Sequence, residues 1–258
     1  YGFANCKFNP VSLATFVESV RLETGALTSI NCLANKFGEE DLATLLTAIE
    51  GTSVRSLCGL TEGQTTADFS GQNLGPIDMK IMGAEYGFQG FIGAIARLSL
   101  AENHLIQGRP VESQEEYDQY GDYMPDYAGF TPLCESLKGT KITELNLSQC
   151  GLDVSATSSL ADAIKFMGAI ARLSLSGNPI SGSTQQYGHW KEFDLDLSGL
   201  ISLCEALPGL KNPIHLDLAD CGLSVSGVNE LGKAMAAGAA LTSVNCLHNP
   251  LGEAVHII

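Results

Sequence analysis

Basic residues are scarce in this chain. It has 14 Lys and Arg against 29 Asp and Glu, a formal net charge of −15 over 258 residues. That deficit argues against nucleic acid, whose phosphates are met by Lys and Arg. It argues equally against an anionic membrane surface, and it is compatible with a basic protein partner. Long apolar runs are missing too. None approaches the roughly 20 residues of a membrane span, and Tyr1-Gly2-Phe3-Ala4-Asn5 has neither the basic region nor the apolar stretch of a signal peptide. The eight cysteines, Cys6, Cys32, Cys58, Cys134, Cys150, Cys204, Cys221 and Cys246, include no Cys-x-x-Cys pair. Zinc spacing is therefore absent. They read as small buried hydrophobes of a reducing, intracellular compartment. There is no P-loop, dinucleotide fingerprint, H-E-x-x-H or G-x-S-x-G motif. The nearest approach to a catalytic constellation is His215, Asp217 and Asp220, with His248 one unit further on. An ion pair or solvated cluster is its plainer reading. No catalytic residue, metal or cofactor is expected.

What the chain does have is repetition. Ala26-Leu27-Thr28-Ser29-Ile30-Asn31-Cys32-Leu33 returns as Ala240-Leu241-Thr242-Ser243-Val244-Asn245-Cys246-Leu247. Counting from the first apolar residue of a unit, apolar residues recur at +3, +5 and +10, with Asn or Cys at +8. Ile95, Leu98, Leu100, Asn103 and Leu105 fit, as do Ile142, Leu145, Leu147, Cys150 and Leu152. Ile170, Leu173, Leu175, Asn178 and Ile180 fit as well, and Pro213, Leu216, Leu218, Cys221 and Leu223 form the next unit. Residues +3 and +5 point to one side of a short strand, so they face a core. The crossovers carry helical periodicity. Apolar residues of Glu40–Ile49 recur at i, i+3, i+4 and i+7. Ser155–Phe166 and Ser226–Ala236 keep the same register, with Ser155 and Ser226 as N-caps and Gly168 and Gly238 as stops.

The pattern L-x-x-L-x-L-x-x-N/C-x-L is that of a leucine-rich repeat. With a helix in each unit and Asn alternating with Cys at +8, it resembles the ribonuclease-inhibitor-like branch. That resemblance covers nearly the whole chain. It implies an α/β leucine-rich-repeat solenoid, a horseshoe of about seven or eight repeats with parallel strands on the concave face and helices on the convex face. The whole of 1–258 would be one domain. The final unit stops after its strand and turn, at Ile258, without the polar cap that a solenoid end needs. The expectation is a fragment, or an end covered by another protein.

Three segments exceed the ordinary period: 61–75, 107–128 and 181–198. For the first, Thr66-Ala67-Asp68-Phe69 also reads as the strand of a degenerate repeat. The other two follow a strand and precede a helix, so both project from one edge. Their roots lie two strand spacings, about 10 Å, apart. They hold most of the aromatic side chains suited to a partner interface: Tyr117, Tyr120, Tyr123 and Tyr127 in one, Tyr187, Trp190 and Phe193 in the other. The alternative is that these rings pack locally against the flank of the array. The concave face offers Arg97, Asn146, Arg172, His215 and Asp217. The function implied is a non-catalytic protein–protein interaction module or scaffold segment of an assembly. Relatives of this branch that inhibit ribonucleases or activate the Ran GTPase supply the alternative of an enzyme regulator. An unrecognised enzyme would have to rest on the His215–Asp217 group.

Overall fold

The computed structural model describes residues 2–7, 12, 15–16, 18–19, 27–35, 37–87, 91–113, 123–186, 189–239 and 241–251. Among them the chain is α/β, built around a six-stranded parallel sheet. Its strands, in spatial order, are β1 (Thr66–Asp68), β2 (Arg97–Ser99), β5 (Glu144–Asn146), β6 (Arg172–Ser174), β9 (Ile214–Asp217) and β10 (Leu241–Asn245). The pairing is in register. Leu98 lies beside Leu145, Leu145 beside Leu173, and Leu173 beside Leu216. Isolated bridges Gly2–Asn31 and Ser29–Ser56 repeat the strand pairing toward the N-terminus.

Parallel neighbours need a crossover, and helices supply it. They are α1 (Glu39–Ile49), α2 (Pro76–Gly87), α3 (Phe130–Leu137), α4 (Val154–Ile164), α5 (Ser198–Ala206) and α6 (Val225–Ala236). The +3 and +5 residues of the strands and the inner stripes of the helices form one core. Ile30, Leu57, Leu98, Leu145, Leu173 and Leu216 are each at most 2% exposed. Burial of a Leu side chain contributes roughly 1.5–3 kcal/mol, so the strand row alone is a large part of what holds the units together.

The segment 61–75 is not an insert. It supplies β1, which pairs with β2 through Thr66–Arg97 and Ala67–Leu98. Two helix starts differ from the expectation. The cap of α4 is Asp153, whose carboxylate accepts from the Ala156 N–H at 2.9 Å. Ser224 caps α6, accepting from Ser226 N–H at 3.2 Å. Ser155 and Ser226 already sit inside their helices. Of the two stops, Gly238 takes a left-handed φ of +97° just past α6, whereas α4 ends earlier, with Lys165 as its C-cap.

The +8 residues bind adjacent units to one another. The Asn178 Nδ2–H donates to the carbonyls of Leu147 and Leu175, both at 2.8 Å. Its Oδ1 accepts from the N–H groups of Cys150 and Leu152, at 3.0 and 2.9 Å. Asn249 repeats this toward the preceding unit, accepting from Cys221 and Leu223 and donating to the Leu218 carbonyl. Asn103 donates to Phe69 and Leu100 carbonyls. In the units between, a thiol takes over. Cys150 Sγ–H donates to the Leu100 carbonyl at 3.1 Å, and Cys221 Sγ–H to Leu175 at 3.3 Å. An amide can accept and donate at once, whereas a thiol is smaller and essentially donates. Every second unit therefore satisfies its neighbour's turn, which is the physical content of the Asn/Cys alternation.

Candidate functional site

Two antiparallel hairpins rise from the edge where the strands end. The first pairs β3 (Gln107–Pro110) with β4 (Tyr123–Pro125), and the second pairs β7 (Thr184–Gln186) with β8 (His189–Glu192). They follow β2 and β6, which β5 separates in the sheet. A hairpin is the natural use of such a segment, because it pairs its own backbone groups away from the core.

The second hairpin leans on the following unit. The Trp190 indole N–H donates to Asp220 Oδ1 at 2.7 Å, and its ring lies against Gly222, where an added Cβ would come within 2.7 Å of the indole. Ser183 Oγ–H donates to the Gly222 carbonyl at 2.8 Å. Asp194 Oδ2 accepts from the Ser224 hydroxyl and from the N–H groups of Ser224 and Gly227, at 2.6, 3.1 and 2.7 Å. It thereby serves the orphan donors at the start of α6. The first hairpin is tied similarly: the Tyr127 phenol donates to Asp153 Oδ2 at the start of α4. Near its root a cleft of about 470 Å³ is lined by Asn5, Lys7, Phe37, Asp78, Lys80, Gln107 and Asp126, among others.

The expected interface aromatics divide accordingly. Trp190 and Tyr127 are half-buried and occupied, holding the hairpins to the next unit. Phe193 is half-buried, while Tyr123 stands 43% exposed. Tyr117, Tyr120 and Tyr187 lie outside the described residues. Leu195, which follows the second hairpin, is 60% exposed and was not singled out by the sequence; an apolar residue between two aspartates gave no aromatic signal.

Several residues of the sheet's open face have structural duties. Asn146 Oδ1 accepts from the Ser148 N–H at 3.1 Å, and Asp217 Oδ1 from the Ala219 N–H at 3.1 Å. Asn31, Asp68 and Asn245 make the same bond to Leu33, Ser70 and Leu247. Where the +4 residue is Asn or Asp, its side chain thus closes an Asx turn at the strand end. The +7 residue of the turn is in the left-handed region: Glu102, Gln149, Asp220 and His248 have φ of 58°, 53°, 52° and 61°. Only Gly71 and Gly177 among these turns carry the glycine that would have signalled such a backbone.

The His215–Asp217 group does not assemble. His215 Nδ1 meets the Ser243 hydroxyl, while Asp217 Oδ1 also accepts from Asn245 Nδ2 at 3.0 Å. Among the described residues no three His, Cys, Asp or Glu side chains are grouped to hold a metal ion. Burial pushes the thiols of Cys32, Cys134, Cys150, Cys204 and Cys221 up to about 12, away from the thiolate form in which a cysteine attacks.

Two buried carboxylates escaped the sequence reading. Asp78, 3% exposed, accepts from Ala34 N–H and Gly75 N–H at 2.8 and 2.9 Å, joining two units. Burial raises it to about 6, against the opposing pull of those two donors. Glu85 is fully buried, accepts from Leu57 and Cys58 N–H at 3.0 Å each, and is also raised by burial. An acid raised in the folded state binds a proton that the unfolded chain has already released. Its contribution is therefore complete below the unfolded value near 4 and is lost as pH rises through 6. Stability measured by urea unfolding should fall between pH 4 and 6, by on the order of 2 kcal/mol from Asp78. Asp78→Asn should flatten that slope in part, leaving the share of Glu85; an unchanged slope would refute this role.

No family model matches the chain. It is similar to the mouse protein named NACHT, LRR and PYD domains-containing protein 14, at 32% identity over 128 residues, 48% of this chain and 11% of that protein. The bovine NACHT, LRR and PYD domains-containing protein 5 is 24% identical over 259 residues, 96% of this chain and 19% of its own length. The chain thus spans about a tenth to a fifth of the curated relatives it matches. This chain carries leucine-rich repeats. The printed names of both relatives include such repeats, and the register of the parallel sheet follows the same period. No helix among the described residues is long and apolar enough to cross a membrane.

Proposed function

We propose that this leucine-rich-repeat chain is a non-catalytic, intracellular protein-interaction module, a scaffold segment of a larger assembly, and that it meets its partner along the hairpin edge. The observation that carries this reading is the pair of hairpins, one tied down beyond its base by Tyr127 and the other along its strand by Trp190, with Tyr123 and the following Leu195 open to solvent. A rigid scaffold holding projecting loops is a common arrangement for binding. Anchoring lowers the ordering cost of association. The net charge of −15 suits a basic protein surface and not nucleic acid. The Asn/Cys alternation and the intervening helices support the horseshoe of the ribonuclease-inhibitor-like branch. Seven raised or buried thiols support a reducing compartment.

The test begins with the native protein, whose companions are isolated by affinity capture and identified by mass spectrometry. Tyr123→Ala combined with Leu195→Ala should then weaken the recovered complex at least tenfold. Trp190→Ala should weaken it too, by releasing the second hairpin. Full affinity in all these variants would rule out the hairpin edge.

A further inference from the structure

The open face of the sheet carries a second feature that the hairpin edge does not use. The +2 residues stand in one row across the strands, and the pairing register places Arg97 beside Glu144, Glu144 beside Arg172, and Arg172 beside His215. From Arg97 to Arg172 the signs alternate. Opposite charges on adjacent strands usually join, yet here they stay apart. Among the described residues, Glu144 and Arg172 make no side-chain hydrogen bond or ion pair, and the Arg97 Nε–H reaches only the Thr66 hydroxyl, at 3.2 Å. Both guanidinium groups are exposed and Glu144 is half-buried. Beside them runs a low row of short side chains, Ser99, Asn146 and Ser174, with Asn146 folded into its own turn. Two of the five arginines of a strongly acidic chain thus flank one carboxylate above a flat polar floor. They are copies of each other in the repeated Gly-Ala-Ile-Ala-Arg-Leu-Ser-Leu.

We propose that this row, Arg97–Glu144–Arg172, is a docking comb for an α-helix of a protein partner, one that carries acidic, basic and acidic residues at i, i+4 and i+7 and crosses the strands. The spacing selects a helix. Adjacent strands are about 4.8 Å apart, so the two arginines are separated by about 10 Å. A helix repeats a face every 5.4 Å and spans about 10.5 Å from i to i+7. An extended peptide returns to one face every 6.6–6.8 Å and then at about 13 Å, missing the second arginine. Arginine also suits the role, since its planar fork engages a carboxylate through two parallel hydrogen bonds.

The test is a selection of phage-displayed helical peptides on the intact chain. It is run in parallel on a chain with the comb reversed: Arg97→Glu, Glu144→Lys and Arg172→Glu. Circular dichroism and the thermal midpoint verify that the reversed chain is folded; if it is not, the single Arg172→Gln variant replaces it. The intact chain should enrich helices with acid, base and acid at i, i+4 and i+7. These should bind the reversed chain at least tenfold more weakly, or the single variant about threefold more weakly, and should lose affinity with added salt. Tyr123→Ala should leave them unaffected, which separates this surface from the hairpin edge. Enriched helices that lack the pattern, equal binding to both chains, or recovery of no helix would overturn the proposal.

Discussion

Gly129→Ala should destabilise the chain by about 3 kcal/mol or more, near the upper end of what overpacking costs. Gly129 precedes α3 where that helix meets the start of α2. A Cβ at this position would lie 1.8 Å from the Pro76 carbonyl oxygen, 2.7 Å from its carbon and 3.1 Å from Met79 Cβ. The obstacle is backbone, so no side chain can swing aside, and two helices must separate. Gly199 lies in the first turn of α5, where an added Cβ would come 2.6 Å from the Val154 carbonyl oxygen. Gly199→Ala should share the defect. Gly232 is the control. It is exposed, lies inside α6 and has nothing within 4 Å of an added Cβ, so Gly232→Ala should stabilise by about 0.5–1 kcal/mol through helix propensity alone. Urea unfolding of the three variants measures all of this. A Gly129→Ala protein as stable as the parent would mean that α2 and α3 do not meet there.

Leu173→Asp should abolish folding outright. Leu173 is 0% exposed at the centre of the sheet, with Leu145 and Leu216 on either side. The substitution forfeits roughly 1.5–3 kcal/mol of apolar burial. It also strands a carboxylate with no cation to pair it, a further cost of several kcal/mol. Together these approach the whole stability of a typical domain, about 5–15 kcal/mol. One residue earlier, Arg172 points the other way and is exposed. Arg172→Asp should change stability by no more than about 0.5 kcal/mol. Circular dichroism and proteolysis of this pair test the face assignment directly, since a one-residue slip of register would exchange the two outcomes.

The core was readable because its signal is periodic. Leu98, Leu145, Leu173 and Leu216 follow from spacing alone, and they pair in the structure as that spacing requires. The strand at Thr66–Asp68 was harder to see because Ala67 fills the position that Leu holds elsewhere. Helix starts were misplaced by one or two residues, since Asp153 and Ser155, like Ser224 and Ser226, are all competent caps. The candidate site was less legible. Composition located the aromatic segments, but exposure depends on what a neighbouring unit offers, and Asp220 and Asp153 are not marked in sequence as the partners of Trp190 and Tyr127. Nor does periodicity reveal Asp78 and Glu85, which point inward to serve backbone of other units.

The alternation of amide and thiol makes the heritable element a couple rather than a single coil. Arg97 and Arg172 stand 75 residues apart, a stretch that contains one Asn-bearing turn and one Cys-bearing turn. Copying that couple preserves the phase, because each carboxamide still finds a sulfur-bearing neighbour. Excising one coil would set two carboxamides on adjacent turns, and the carbonyl they share, which now takes one amide and one thiol at Leu100, would take two amides. A duplicated couple therefore carries its own donors and acceptors with it, turn by turn.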